Sequence, residues 1–189
     1  LGEITLTLLC DIAEIRAGYP FRESVPDMPD GLCQVIQPKD VFGGGIIDEV
    51  ALRFTPERLK PDYLLKNGQI LLSSRGEFKA ALYKGKGKSL ASNLLFVLSV
   101  RKKEFLPEYL VFYLNSKSGQ AQMASRKNPG TLQAIVRSGI EGLDIPLLPL
   151  KRQKLLAEMY FLLLHEKELS QRLAEEKTKL LELALNTEI

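Results

Sequence analysis

Asp62, just after Pro61, and the run Glu77-Phe78-Lys79 make up the one set of residues in this 189-residue chain that could cut a bond. Metal-dependent nucleases of the Pro-Asp…(Asp/Glu)-x-Lys type use such a set. Two carboxylates hold a divalent cation, and the lysine positions or activates water. The pattern is short and degenerate. Glu77 and Lys79 also fall just past the Arg75-Gly76 turn, whereas such a site needs them inside a strand. A nuclease using Asp62, Glu77 and Lys79 is therefore the second reading. Other catalytic equipment is missing. The single histidine, His165, sits inside a helical stretch, off its apolar seam. No Cys/His cluster has zinc spacing, and no glycine loop precedes Gly-Lys-Ser/Thr as a phosphate cradle requires. Asn128-Pro129-Gly130-Thr131 lacks the aromatic that an adenine-methylating site needs. No cofactor and no metal are expected.

The stronger signals are basic and lie in turns. Arg16-Ala17-Gly18-Tyr19-Pro20-Phe21-Arg22 sets two arginines and two aromatics around a Gly/Pro turn. Ser73-Ser74-Arg75-Gly76 closes a strand with hydroxyls and an arginine. Lys84, Lys86 and Lys88 alternate with glycines, and Ser125-Arg126-Lys127-Asn128 adds a fourth basic turn. An arginine fork matches guanine edges or phosphates, and hydroxyls suit phosphate oxygens. Arg75 and Arg22 are the candidates for base or near-base contact, with Tyr19 in van der Waals contact beside them, and Arg16, Phe21 and Ser74 are further DNA-binding candidates. Lys79, Lys84, Lys86, Lys88, Arg126 and Lys127 are the phosphate candidates. Charge distribution agrees with this. Net charge is −4 over residues 1–60, +7 over 61–148 and zero thereafter, for +3 in all. That concentration suits a protein presenting one basic face to phosphate. With no Trp and aromatics at 7%, stacking on single strands is disfavoured.

These turns need strands to hold them. Cys33 to Gln37 predicts a short strand ended by Pro38. Gln69 to Ser74 predicts a stronger one after the Asn67-Gly68 turn, and Ala80 to Tyr83 and Leu94 to Val100 predict two more. A helix is expected from Pro107, with Tyr109, Leu110, Phe112, Tyr113 and Leu114 as its apolar residues. A second spans Ser118 to Ser125 and is broken at Asn128-Pro129-Gly130. Ile145 to Pro149 reads as a stiff extended linker. The two cysteines, Cys10 and Cys33, read as buried thiols in a reducing cytoplasm. No apolar run is long enough to span a bilayer. No basic-then-hydrophobic leader opens the chain, so no signal peptide is expected.

Beyond Pro149 the pattern changes. Lys151 to Leu185 holds neither Gly nor Pro. Leu155, Met159, Leu162, Glu166, Leu169, Leu173, Glu176, Leu180 and Leu183 recur in steps of four and three, a heptad seam. A helix of this span is about 50 Å long, more than a body of this size covers. Part of the seam is therefore expected to meet another helix, with Glu166 and Glu176 selecting register or partner. The competing expectation is a helix lying wholly on its own body. A third functional reading follows from the same feature: a coiled-coil adaptor whose globular part binds protein. The expected division is 1–148 for the globular part and 149–189 for the helix.

Across nearly its whole length the chain resembles the DNA specificity subunits of type I restriction-modification systems. Ile15 to Arg22, Val35-Ile36-Gln37-Pro38-Lys39-Asp40, Tyr63 to Leu71 running into Ser73-Ser74-Arg75-Gly76, and Leu90-Ala91-Ser92-Asn93 carry the first half of the likeness. Leu106-Pro107-Glu108-Tyr109-Leu110, Tyr113-Leu114-Asn115-Ser116, and Ile145 to Leu150 with Gln153 carry the rest. Their order and spacing together are specific. The resemblance implies an α+β target-recognition domain with a mixed, strongly bent sheet and short helices, feeding one long coiled-coil-forming C-terminal helix. It implies a non-catalytic, cytoplasmic protein that binds double-stranded DNA at a bipartite site. The implied partners are methyltransferase subunits and, through them, restriction subunits. Full-length members carry two recognition domains and two antiparallel helices. This sequence shows one of each and no repeat, so either a half-length subunit or a piece of a longer one is expected. A half-length subunit implies a homodimer through the helix.

Overall fold

The structure is a computed structural model that describes residues 5–21, 24–56, 60–127 and 134–187, with side chains as far as 185. In chain order the strands are β1 (Leu6–Leu8), β2 (Ala13–Ala17), β3 (Cys33–Ile36), β4 (Ile46–Ile47), β5 (Arg53–Phe54), β6 (Ile70–Ser73), β7 (Ala80–Tyr83), β8 (Ser89–Ala91), β9 (Leu95–Val100) and β10 (Asp144–Pro146). The helices are α1 (Leu9–Ile12), α2 (Pro38–Val41), α3 (Pro107–Asn115), α4 (Lys117–Ser125), α5 (Arg137–Glu141) and α6 (Leu150–Thr187).

Strands β6 and β7 are buried residue after residue, the pattern of strands covered on both faces. They pair antiparallel, with Ile70 opposite Leu82, and β9 pairs on the other side of β6. β2 adds antiparallel to β9 and β4 adds parallel to β7, giving the mixed order β2-β9-β6-β7-β4. A second mixed sheet has the order β5-β3-β8. The chain passes from β8 into β9 through Ser92-Asn93-Leu94, and Tyr19 bridges to Ser92 across the junction. The two sheets thus form one bent surface, the mixed α+β architecture the sequence implied.

One face of the large sheet (Ile70, Leu72, Leu82, Leu98) packs on Tyr109, Leu110, Leu114 and Met123 of α3 and α4. The opposite face (Leu71, Tyr83, Val97) closes against Ile36, Val41 and Leu65 beside the small sheet. The expected strands and α3 are present to within about a residue, and β1, β2, β4, β5, β8 and β10 add to them. The cysteines differ from expectation. Cys33 is buried, but Cys10 is exposed, because on α1 Leu9 and Ile12 take the inward face. The expected break at Asn128-Pro129-Gly130 lies outside the described residues.

Helix α6 carries two apolar faces. Gln153 and Ala157 are buried, Tyr160 and Leu164 are half-buried, and Leu156, Tyr160 and Phe161 pack against the core built around α3. Residue 155 lies two positions from 153, about 200° around the helix, so the heptad seam points the other way. Leu155, Met159, Leu162, Leu169, Leu173 and Leu180 are half to two-thirds exposed, and Leu183 is exposed too. The helix does not lie wholly on its own body. Among the described residues no helix is long and apolar enough to cross a membrane.

Candidate nucleic-acid interface

Gly18 sets the first cluster. A Cβ at this position would overlap the carbonyl oxygens of Ser92 and Ala91, so only glycine lets β2 run this close to the end of β8. The Gly18 N–H donates to the Leu95 carbonyl at 2.9 Å and the Tyr19 N–H to Ala91 at 2.7 Å. Tyr19 and Phe21 are thereby held side by side, ring centroids 4.8 Å apart. Tyr63 meets Tyr19 edge-on at 5.3 Å, and Phe54 meets Phe21 at 5.5 Å.

Arg16 enters this cluster from β2, an edge strand. It sits opposite Val97, so its side chain points into the crevice between the two sheets, on the Val97 side. Its guanidinium carbon lies 6.0 Å from the centre of the Tyr63 ring. Both terminal nitrogens are buried without a hydrogen-bond partner among the described residues, as is the hydroxyl of Ser92 nearby along the junction. Burial pushes the Arg16 guanidinium below its ordinary value, while the charges of Glu14, Tyr63 and Asp62 oppose that shift. Donors buried without an acceptor cost stability, and partial exposure of the rest of the guanidinium tempers that cost. Arg22 lies outside the described residues.

The other candidates fall into two groups rather than one patch. Arg75 is exposed between β6 and β7, where Gly76 takes a left-handed φ of 69°. The Ser73 hydroxyl donates to the Arg75 carbonyl at 2.8 Å, and the Ser74 hydroxyl to Leu94 at 2.8 Å. Ser74 is buried, so its hydroxyl is committed to shaping the turn. Lys127 lies over the Phe78 ring at 5.3 Å, beside the same hairpin end. Arg126 donates to the carbonyls of Gln122 and Gly142 at 3.2 and 2.9 Å and lies 3.8 Å from Asp144. It ties α4 to the segment before β10. Lys84, Lys86 and Lys88 follow β7 and so lie at the opposite end of the antiparallel hairpin, about 13 Å away along the strands. Lys84 is 3.9 Å from Glu108. Lys86 and Lys88 are exposed, with no ion-pair partner among the described residues.

The nuclease candidates are not gathered. Asp62 lies in a short 3-10 turn, Pro61–Tyr63, beside Arg16. Glu77 is in the exposed hairpin turn, and Lys79 borders a cleft with Gly44, Asn115 and Tyr160. Among the described residues no three of His, Cys, Asp and Glu cluster as metal ligands would.

Sequence reasoning missed Tyr63 and Phe54 as members of the aromatic cluster. Tyr63 lies in one of the segments that carry the family likeness, but nothing local says that its ring reaches Arg16. Gln153, Asn115 and Tyr160 were also given no role, although they join α6 to the body.

Fold and surface together define a class: a small α+β body mounted on a rod-like helix, with basic turns on the body and a bare apolar stripe on the rod. The family model described as "Type I restriction modification DNA specificity domain" matches residues 8–176, and the chain belongs to that family. No curated protein matches it. Among solved structures, it is similar to a chain from work on complex assembly and conformational transition of the type I R-M system. The identity there is 18% and the TM-score 0.65, over 92% of this chain and 41% of that one. It is also similar to the HsdS subunit from Thermoanaerobacter tengcongensis, with 17% identity and a TM-score of 0.58 over 90% of this chain and 39% of that one. A third is the S subunit of a type I system from M. genitalium, with 15% identity and a TM-score of 0.56 over 83% and 38%. At these identities the likeness is one of fold. The chain spans about two-fifths of their length.

Proposed function

We propose that this chain reads the sequence of double-stranded DNA as the non-catalytic specificity component of a cytoplasmic type I restriction-modification system. It directs methyltransferase subunits and, through them, restriction subunits to a bipartite site. Residues 1–148 are the recognition unit and 149–189 the spacer. The observation that carries the reading is Arg16, a half-buried arginine beside the Tyr63 ring whose two terminal guanidinium nitrogens are buried with no hydrogen-bond partner among the described residues. Its missing acceptor is supplied by a base edge or phosphate of bound DNA once Tyr63 shifts aside. Arg75 at the hairpin tip is the second reader. Lys79 and Lys127 at that end, and Lys84, Lys86 and Lys88 at the other, contact backbone phosphates. Two chains pair through the exposed α6 seam, so the complex has a two-fold axis and reads a palindromic bipartite target.

The test is selection from a randomised duplex library by the purified chain, alone and with type I methyltransferase subunits added. Enrichment of a two-part motif, with affinity falling steeply as salt rises, is expected. A chain that enriches nothing in either condition is not a DNA reader. In that case the coiled-coil adaptor remains.

A further inference from the structure

Besides its apolar packing, the long helix meets the body through two polar side chains on one face among the described residues. Gln153 is completely buried. Its Oε1 accepts the Leu106 N–H at 2.9 Å, and its Nε2 donates to the carbonyls of Glu104 at 2.6 Å and Leu148 at 2.8 Å. One residue thereby holds both the loop entering α3 and the last residues before α6. Seven residues on, Tyr160 returns to the same face two turns later, about 10 Å along the axis. Its hydroxyl donates to the Gly44 carbonyl at 2.9 Å. That carbonyl is itself held. Asn115 donates to Gly44 at 3.5 Å and to Ala80 at 2.7 Å, and accepts the Ala80 N–H at 3.0 Å. Gly44 has a φ of +66°, and a Cβ there would come within 2.7 Å of the Tyr160 hydroxyl. The second contact therefore ties α6 to β7 through a turn that only glycine fits.

We infer that Gln153 and Tyr160 are positioning residues that fix both the direction and the rotation of α6 against the recognition unit. This inference rests on the proposed DNA-reading role. Ala157, Leu156 and Phe161 already press this face against the core, but apolar packing is non-directional; two directional contacts about 10 Å apart restrain the swing, and hydrogen bonds confined to one face restrain the roll. The roll matters because the seam lies about 200° from Gln153, so the face held inward decides which face a partner helix meets. The swing matters through leverage. The 38 residues of α6 span about 57 Å. A tilt of only about 3–4° moves the far end by ~3.4 Å, one base-pair step. Tyr160 and Gln153 touch no base, yet they set the distance between two half-sites.

Spin labels on Lys117→Cys in α4 and Glu175→Cys in the free part of α6, in a Cys10→Ser background diluted with unlabelled chain, read the angle directly. The parent protein is expected to give one narrow distance. Tyr160→Phe removes a single hydroxyl and should broaden that distribution or shift its mean. Gln153→Met, which keeps the volume but none of the three hydrogen bonds, should do so more strongly. If Tyr160→Phe leaves the distribution as narrow and as centred as the parent, the inference is wrong, whatever the DNA result. In library selection, Tyr160→Phe is expected to keep the two half-site sequences and lose the single spacing, with neighbouring spacings one base pair away appearing. Failure of the parent chain to select any motif overturns the DNA-reading role and leaves the spin-label result to decide the clamp.

Discussion

At the scale of single residues, the two arginines proposed as readers and the lysines proposed as phosphate contacts separate in what their loss is expected to do. Arg16→Ala or Arg75→Ala is expected to cost about 1–3 kcal/mol of specific binding and to relax preference at one position of a half-site. Lys86→Ala is expected to weaken all sequences alike and to lower the slope of log affinity against log salt by about 0.9 for each phosphate contact removed. Measured binding isotherms on the selected site and on scrambled duplex, at several salt concentrations, check both. A Lys86 variant that changed sequence preference at constant salt slope would refute the division. Tyr109 gives a prediction on stability instead. Its ring is buried, its hydroxyl donates to the Pro146 carbonyl at 2.9 Å, and burial first, with Tyr113 second, pushes its pKa up to about 12. The folded state therefore holds the proton longer than the unfolded chain does. That stabilisation is complete below about pH 10 and is lost as pH rises from about 10 to 12, some 2–3 kcal/mol in all. Urea midpoints across that range should fall in the parent protein. In Tyr109→Phe the fall should be shallower, from a lower starting stability, because the Pro146 carbonyl loses its donor.

At the scale of elements, the Gly18 crossing is the most fragile joint. Gly18→Ala forces a methyl into the Ser92 and Ala91 carbonyls, so β2 must move off the sheet junction. The expected cost is about 1–3 kcal/mol or more, a fall in Tm of roughly 2–10 °C for a chain of this size, checked by calorimetry. DNA affinity should fall further than stability does, because Tyr19 and Phe21 move with it. The same joint shows where sequence reading stops. β6, β7 and β9 are legible because a run apolar on both faces has few alternatives to a central strand. β2 is short and carries Glu14 and Arg16, with only Ala13 and Ile15 facing the core. Its strand character comes from its pairing with β9, a partner far away in sequence. The grouping of the basic turns was equally hidden. The Arg75 and Lys84 turns look adjacent along the chain, yet a four-residue antiparallel strand puts them at opposite ends of the sheet. The helix seam was legible because seam spacing is local. The opposite, clamped face was not, because Gln153 and Tyr160 bond to the loop before α3 and to the Gly44 turn, neither of which is close in sequence.

At the scale of the whole molecule, the question is whether the α6 seam is sticky enough to hold two bodies. Each exposed seam residue has about 1–2 kcal/mol of burial still to gain. Six such residues from each of two copies give roughly 12–24 kcal/mol as an upper bound, against about 4–15 kcal/mol for joining two bodies. The surplus supports a dimer but leaves little margin, and Glu166 and Glu176 on the seam narrow it further. Two polar substitutions should therefore tip the balance. Leu169→Gln with Leu173→Gln keeps helix propensity and changes residues that are at least half exposed within one chain. Thermal stability of the isolated chain should thus move by no more than about 0.5 kcal/mol. Light scattering is expected to show the parent as a multiple of 21.2 kDa and the double variant falling towards a single chain. DNA selection by the variant should retain one half-site and lose the coupling to the second. A parent already monomeric at high concentration, or a variant of unchanged mass, would mean that the seam is no self-pairing surface, and the methyltransferase would become its remaining partner.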